Sequence, residues 1–219
     1  MLVEGGARVL ASFPEPLSRR ARHSLERIGV EVRTGATVTR VTADAVWLGS
    51  EQIRTRTVLW AAGVAASPLA RTLGVPLDRA WRVPVEADLS IAGHPEAFVI
   101  GDMSVWRDPS GAALPGLAPV AIQQGRRAAD NVLRRLSGRP TLAFRNRDRG
   151  TMATIGRAAA VAVVGRVQLS GLIAWLAWLL VHIMFLIGFR NRVVVMIDWM
   201  SAYWSFRRNA RIVIGAGFV

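Results

Sequence analysis

The chain of 219 residues contains no cysteine. That excludes disulfides, thiolate metal sites and every chemistry that turns on a redox dithiol. Histidine is nearly as scarce, and its three scattered residues give no basis for a metal site, so none is expected. Lysine is absent as well: all 28 cations are arginine, set against 15 carboxylates for a net charge of +13. No aromatic–basic ladder or nucleic-acid motif accompanies that charge, so no nucleic-acid partner is expected. An anionic membrane surface accounts for it better, with genomic base composition adding to the arginine bias. No signal peptide opens the chain; Met1-Leu2-Val3-Glu4 reads as the middle of a strand, which suggests a start inside a domain. What is abundant is apolar surface: 52% of residues are hydrophobic and mean hydropathy is +0.30, high for a soluble protein. The length suits one or two small domains.

Three segments follow from the patterning. Residues 1–63 read as α/β. Leu17, Ala21, Leu25 and Ile28 share one face of a helix over 16–28, and a strand starts at 29–32. Short turn-separated strands are predicted at 38–41, 45–48 and 52–54. Residues 57–63 read as a buried strand ending in the small residues Ala62 and Gly63, which serve ligand approach and tight packing equally well.

Residues 64–143 hold the candidate site. The stretch 67–95 is mostly loop. An apolar run over 98–102 ends in Gly101-Asp102 and reads as a buried parallel strand with a carboxylate at its carboxyl end, where open α/β sheets bind ligands. A helix led by Pro119 and Val120 follows, running to about Leu136 and burying Ala121, Gly125, Ala128, Ala129, Val132 and Leu136; residues 137–140 stop it. A carboxylate for ribitol hydroxyls beside a helix N-terminus for an electron-rich ring suits a flavin. Taken singly, Asp102 reads as a turn residue and Gln123 and Gln124 as solvated helix residues.

Residues 144–219 differ in kind, with ten arginines against Asp148 and Asp198. A hairpin is predicted over 151–168, turning near Gly156-Arg157. Residues 169–189 then run without a formal charge, long enough for a transmembrane helix of about 20 residues. Arginine flanks the run on both sides, so no inside face is defined. Residues 193–206 are too short to span and carry Trp199, Tyr203, Trp204 and Phe206, which favour the headgroup zone. The favoured reading is a hydrophobic helix followed by an interfacial one, both ends at the cytoplasmic face; a single span is the runner-up, and a buried core helix the bland alternative. His182, inside the apolar run, reads as a packing histidine.

Taken in order, these motifs resemble the C-terminal half of a type II NADH:quinone oxidoreductase, a single-subunit, non-pumping respiratory enzyme. The resemblance runs nearly end to end. Residues 2–10 resemble the second strand of the family's NADH domain, where a Glu, here Glu4, holds the adenosine ribose and favours NADH over NADPH. Residues 57–64 resemble the return from the NADH domain to the FAD domain, residues 99–102 the second FAD motif, and residues 118–125 the helix beside the flavin ring and quinone pocket. Residues 150–157 resemble the strand lining that pocket, and residues 174–211 the membrane-binding region.

The resemblance implies an α/β fold: part of a flavoprotein with two dinucleotide-binding domains on a glutathione-reductase-like scaffold, ending in a hydrophobic and amphipathic helical membrane region. The implied segments are 1–63 from the NADH-binding domain, 64–143 from the FAD-binding domain and 144–219 as membrane-associated region. The implied cofactors are FAD and NAD(H), held by Glu4, Ala62, Gly63, Gly101, Asp102, Pro119 and Val120, with no catalytic side chain because the flavin carries the chemistry. Electrons pass from NADH to a membrane quinone contacted by Gln123, Gln124, Thr154 and Ile155. Many members have Gln where this chain has Pro119, which moves the expected quinone contact to Gln123 and Gln124. The expected partners are NADH, quinone and the lipid bilayer at the cytoplasmic face of the cell membrane, with a second copy or a missing N-terminal half as protein partner. No Gly-x-Gly-x-x-Gly follows a strand, whereas the family has two, so the chain is expected to be a fragment. The alternative is an inactive membrane-associated remnant, or a half-protein that needs a partner chain. Sulfide:quinone reductases and disulfide reductases share the scaffold but need cysteines.

Overall fold

The computed structural model describes residues 1–63, 65–186 and 188–205. They form two compact units, one of residues 1–56 with 150–205, the other of residues 57–149.

The first unit opens with a βαβ arrangement. Strand β1 (Leu2–Glu4) pairs in parallel with β2 (Val32–Thr34), and helix α1 (Glu15–Arg27) makes the crossover. Pro16 in the first turn and Glu15 and Arg27 at opposite ends suit the helix start and the macrodipole. The end is a Schellman turn: Gly29, at φ +85°, donates its N–H to Glu26 O and Val30 donates to Leu25 O. Leu17 and Ala21 are buried as their spacing predicts, while Ile28 has become the exposed C-cap. Strands β3 (Val38–Val41), β4 (Ala45–Leu48) and β5 (Glu51–Arg54) form an antiparallel meander within a residue of the predicted bounds.

The later part of this unit contains β10 (Thr151–Thr154), β11 (Ala160–Val164) and β12 (Val167–Ser170). β10 and β11 are the predicted hairpin, and a second turn at Gly165 adds β12 antiparallel to β11. The inner face of α1 packs on this sheet, where Leu17 and Ala21 join Val9, Phe13, Val32, Ile155 and Val161 in one core. Burying Leu17 alone contributes about 2 kcal/mol.

Two helices follow, α3 (Gly171–Phe185) and α4 (Phe189–Ser205). The expected unbroken apolar run over 169–189 is corrected here. Leu169 and Ser170 belong to β12, and the helix starting at Gly171 stops at Phe185, 15 residues in all. At 1.5 Å per residue that is roughly 22 Å, short of a hydrocarbon core of about 30 Å. Among the described residues no helix is long and apolar enough to cross a membrane, so the transmembrane helix is withdrawn. α4 begins earlier than the expected 193, taking Arg190 and Arg192 into the helix. It packs on α3 through Trp199 stacked on Trp178, ring centroids 5.4 Å apart. His182 packs on the same Trp178, its ring 4.2 Å from the indole and its Nδ1 2.8 Å from Trp178 O, a packing role. Phe206, Arg207, Arg208 and Arg211 lie outside the described residues.

The second unit contains β6 (Val83–Pro84), β7 (Ser90–Ile91), β8 (His94–Phe98), β9 (Ser104–Val105) and α2 (Ala118–Leu136). β6 pairs in parallel with β9, and β7 antiparallel with β8. Two sequence expectations are corrected. Residues 98–102 are not a parallel strand: β8 ends at Phe98, and Gly101–Met103 form a 3-10 turn. The Gly101 N–H donates to a side chain rather than to a strand ladder. Residues 57–63 form no strand either, and they are exposed, Leu59 at 89% and Trp60 at 67%. β-forming side chains make a strand only where a neighbouring backbone completes the ladder. Val64 lies outside the described residues.

Candidate functional site

Helix α2 positions the site. Its buried residues are Val120, Gln124, Ala128 and Asn131; of the stripe that apolarity predicts (Ala121, Gly125, Ala128, Ala129, Val132 and Leu136) only Ala128 is among them. Val132 and Leu136 are exposed, Leu136 at 81%. Two amides therefore face inward, and each is bonded. Asn131 Nδ2 donates to Asp88 O (3.0 Å) and Leu142 O (2.9 Å), and its Oδ1 accepts the Leu142 N–H (2.8 Å). Gln124 Oε1 accepts the Gly101 N–H at 2.7 Å. Ser104 Oγ donates to Gly101 O at 3.0 Å, closing the turn from the other side. Trp106 and Phe144 pack edge to face beneath the helix with Leu89 and Ala128.

These contacts fix the turn that presents Asp102. Its carboxylate is exposed and packs against Gly116, where a Cβ would stand 2.9 Å from Asp102 Oδ1. Any larger residue would displace the carboxylate. Beside it lies a cavity of about 330 Å³, at the small end of the ligand-site range, whose wall includes Arg82, Gly101, Asp102, Trp106, Gly116 and Ala121. Arg82 bonds Asp78 Oδ2 through Nε (2.9 Å) and Nη2 (2.8 Å). Burial tends to raise the Asp78 pKa, but the Arg82 backbone and side-chain hydrogen bonds outweigh it and hold the carboxyl below its ordinary value.

The first turn of α2 joins the same wall through Leu117, Val120 and Ala121. It has no side-chain cap. Pro119 has no N–H, and the Val120 and Ala121 N–H groups both turn back to Leu117 O. What the helix start offers a ligand is the dipole of 19 aligned residues. A carboxylate acceptor in a glycine cradle, a guanidinium and a helix N-terminus, set among apolar side chains, fit a hydroxylated chain joined to an electron-rich ring. Among the described residues no cluster of His, Cys, Asp and Glu could hold a metal ion.

The other residues named from the sequence fall as follows. Gln123 is bonded throughout within its own unit: Nε2 donates to Pro119 O (3.0 Å), Asn146 Oδ1 (3.3 Å) and Arg147 O (3.1 Å), and Oε1 accepts the Arg147 N–H (3.0 Å). Ala62 and Gly63 are exposed and do not line the cavity. Glu4, Thr154 and Ile155 belong to the first unit. Glu4 ends β1 at the carboxyl edge of the parallel pair and accepts the Gly6 N–H at 2.7 Å. Thr154 is exposed at the end of β10, whereas Ile155 is buried in the core of its unit. Arg82, Ser104 and Trp106 stand in no motif that marks them in the sequence.

Comparison with known proteins gives a consistent family. The family model "Pyridine nucleotide-disulphide oxidoreductase" matches residues 1–125, and the "NDH2 C-terminal domain" matches residues 149–209. The chain is 37% identical to a type II NADH:quinone oxidoreductase of Mycobacterium tuberculosis, over 95% of this chain and 47% of that protein. It is 33% identical to a demethylphylloquinone reductase of Synechocystis, over 91% of this chain and 50% of that protein. The solved structure of NDH2 from Plasmodium falciparum in complex with NADH has the same fold, with a TM-score of 0.82 at 16% identity, covering 95% of this chain and 59% of that one. The chain spans about half the length of the curated relatives it matches.

Proposed function

The chain belongs to the pyridine nucleotide-disulphide oxidoreductase family, and from that premise we propose that it contributes the flavin and quinone side of a type II NADH:quinone oxidoreductase. The observation that supports this most is the Asp102 turn, clamped to α2 by Gln124 and cradled by Gly116. When bound, FAD supplies the redox chemistry, accepting a hydride from NADH and passing two electrons to a membrane quinone. Asp102 accepts hydrogen bonds from the ribitol hydroxyls. Gly101, Pro119 and Val120 shape the backbone around the ring, and the α2 dipole favours negative charge beside it, a preorganised electrostatic effect. Glu4, at the carboxyl end of β1, accepts the adenosine ribose hydroxyls of NAD(H) and repels a 2′-phosphate. Ala62 and Gly63 leave room for the cofactor backbone. Gln123 and Gln124 are the proposed quinone contacts of the second unit and act mainly by fixing the helix and the turn; in the first unit the proposed contact is the exposed Thr154, with Ile155 packing behind it in the core. Helices α3 and α4 attach the chain to the cytoplasmic face of the cell membrane, where a quinone head enters.

The test is a titration of the detergent-purified chain with FAD, followed by absorbance and flavin fluorescence. Saturable binding that Asp102→Ala weakens about tenfold supports the reading, the effect expected for losing one charge-assisted hydrogen bond. Binding indifferent to that substitution, or none at all, sinks it. A second reading, a half-protein that needs a partner chain, is favoured by the lack of a complete Gly-x-Gly-x-x-Gly. It predicts that FAD binds tightly only after the partner is added.

A further inference from the structure

The outer face of α1 and the start of α3 form a second cavity, within the first unit, that the flavin and quinone reading leaves unused. It is an open groove of about 460 Å³ whose lining includes Arg19, Arg20, His23, Arg27, Ser170 and Gly171. Arg20, His23 and Arg27 stand three and four residues apart on α1, opposite the buried Leu17, Ser18 and Ala21. Arg19 is paired with Glu15 on the same helix. Among the described residues no carboxylate pairs with Arg20 or Arg27. The Arg20 Nη1 donates instead to Ser170 Oγ, a neutral acceptor that leaves the guanidinium charge unbalanced.

That bond has a consequence for α3. Ser170 is its N-cap and is of a residue type that ordinarily caps, yet its side chain makes no bond to the helix. Its hydroxyl is engaged by Arg20. Gly171, the first residue of α3, also lines the groove, so the positive end of a helix dipole adds to the Arg20 and Arg27 guanidinium groups. This set of donors matches a phosphate. The groove also runs directly into apolar surface: Leu172, Ile173, Leu176 and Leu180 of α3 are 54%, 68%, 49% and 63% exposed. A free phosphate would leave that surface uncovered. A phospholipid covers both, with its headgroup phosphate in the groove and its acyl chains along α3.

We propose that the groove between α1 and the start of α3 binds the phosphate of an anionic lipid headgroup and so docks this face onto an anionic bilayer. The inference rests on the reading that α3 and α4 attach the chain to a membrane, and it adds a headgroup site on α1. It is tested by partitioning the full chain between buffer and vesicles, either phosphatidylcholine alone or phosphatidylcholine with an equal part of phosphatidylglycerol. Partitioning is read as the fraction of the chain that co-sediments with the vesicles. The expected result is stronger partitioning onto the anionic vesicles. Arg20→Gln with Arg27→Gln should reduce it about thirtyfold, the effect of two arginines at the surface, while leaving partitioning onto neutral vesicles unchanged. The control pair Arg54→Gln with Arg56→Gln makes the same charge change on exposed residues of the same unit that do not line the groove and should stay within about twofold. Circular dichroism verifies that each variant is folded. Equal losses in the groove and control variants overturn the inference, as does no loss in the groove variant. Equal binding to both vesicles overturns the headgroup site but leaves membrane attachment standing. Binding to neither overturns both.

Discussion

Helices α2 and α3 use opposite strategies with similar lengths. α2 buries two amides, Gln124 and Asn131, and exposes Val132, Leu133 and Leu136. α3 is almost wholly apolar, yet the only residue it buries is Ala174, against Ala160 and Ala162 of β11. The hydrogen bonds of α2 are directional, and they determine where Gly101 and Asp102 stand. The contacts of α3 are non-directional, and among the described residues much of its apolar surface stays exposed. One helix sets geometry and the other presents apolar surface, so polar substitutions should be costly in the first and mild in the second.

The largest effect is expected at Asn131. It is completely buried and joins α2 to Asp88 and Leu142, 43 and 11 residues away. Asn131→Ala removes three hydrogen bonds and strands backbone groups of both segments. The expected loss is about 3 kcal/mol, read by urea unfolding under circular dichroism. A loss below about 1 kcal/mol would mean that water replaces the amide, and that α2 is held by apolar contacts as α3 is.

A smaller effect, but one closer to function, is expected at Gln124. Gln124→Leu keeps the volume and removes the acceptor for the Gly101 N–H. The expected cost is about 2 kcal/mol, with faster amide hydrogen exchange at Gly101 and weaker flavin binding, because the Asp102 turn loses its anchor. Unchanged exchange at Gly101 would show that the turn is held by Ser104 and the glycine cradle alone.

This contrast also explains what the sequence revealed. Apolar periodicity and turn residues were enough for α1, for the β3–β5 meander and for the β10–β11 hairpin, because each is fixed by neighbours in the chain. The ends of α2 were legible within two residues, since Pro119 and the Gly138 turn mark them. Its buried face was legible only at Ala128. Hydrophobicity ranks which side chains gain from burial, but it does not show that Gly101 lies 23 residues from Gln124 in sequence and 2.7 Å from it in space. The same limit applies at Asp102. The Gly-Asp pair is visible in the sequence, whereas the contact with Gly116 that orients it depends on a loop between β9 and α2 with no periodic signal. Residues 57–63 and 98–102 were read as strands from composition alone, and in each the missing information was which backbone, if any, completes the ladder.

The smallest expected effect tests the other half of the comparison. Leu180 is 63% exposed on α3. Leu180→Gln removes an apolar side chain while keeping a residue of similar helix propensity, so the change in folding stability in detergent-free buffer should stay within about 0.5 kcal/mol. Were α3 an ordinary core helix, the same substitution would cost about 2–5 kcal/mol, the range for deleting a buried leucine. The near-zero result carries information only if vesicle binding changes with it. Taking Leu180 out of an apolar contact with the bilayer should weaken partitioning about tenfold, following from the transfer free energy of one leucine. A stability loss without a partitioning loss would place Leu180 against protein, and α3 would then resemble α2 in being fixed by partners within the chain rather than by a surface outside it.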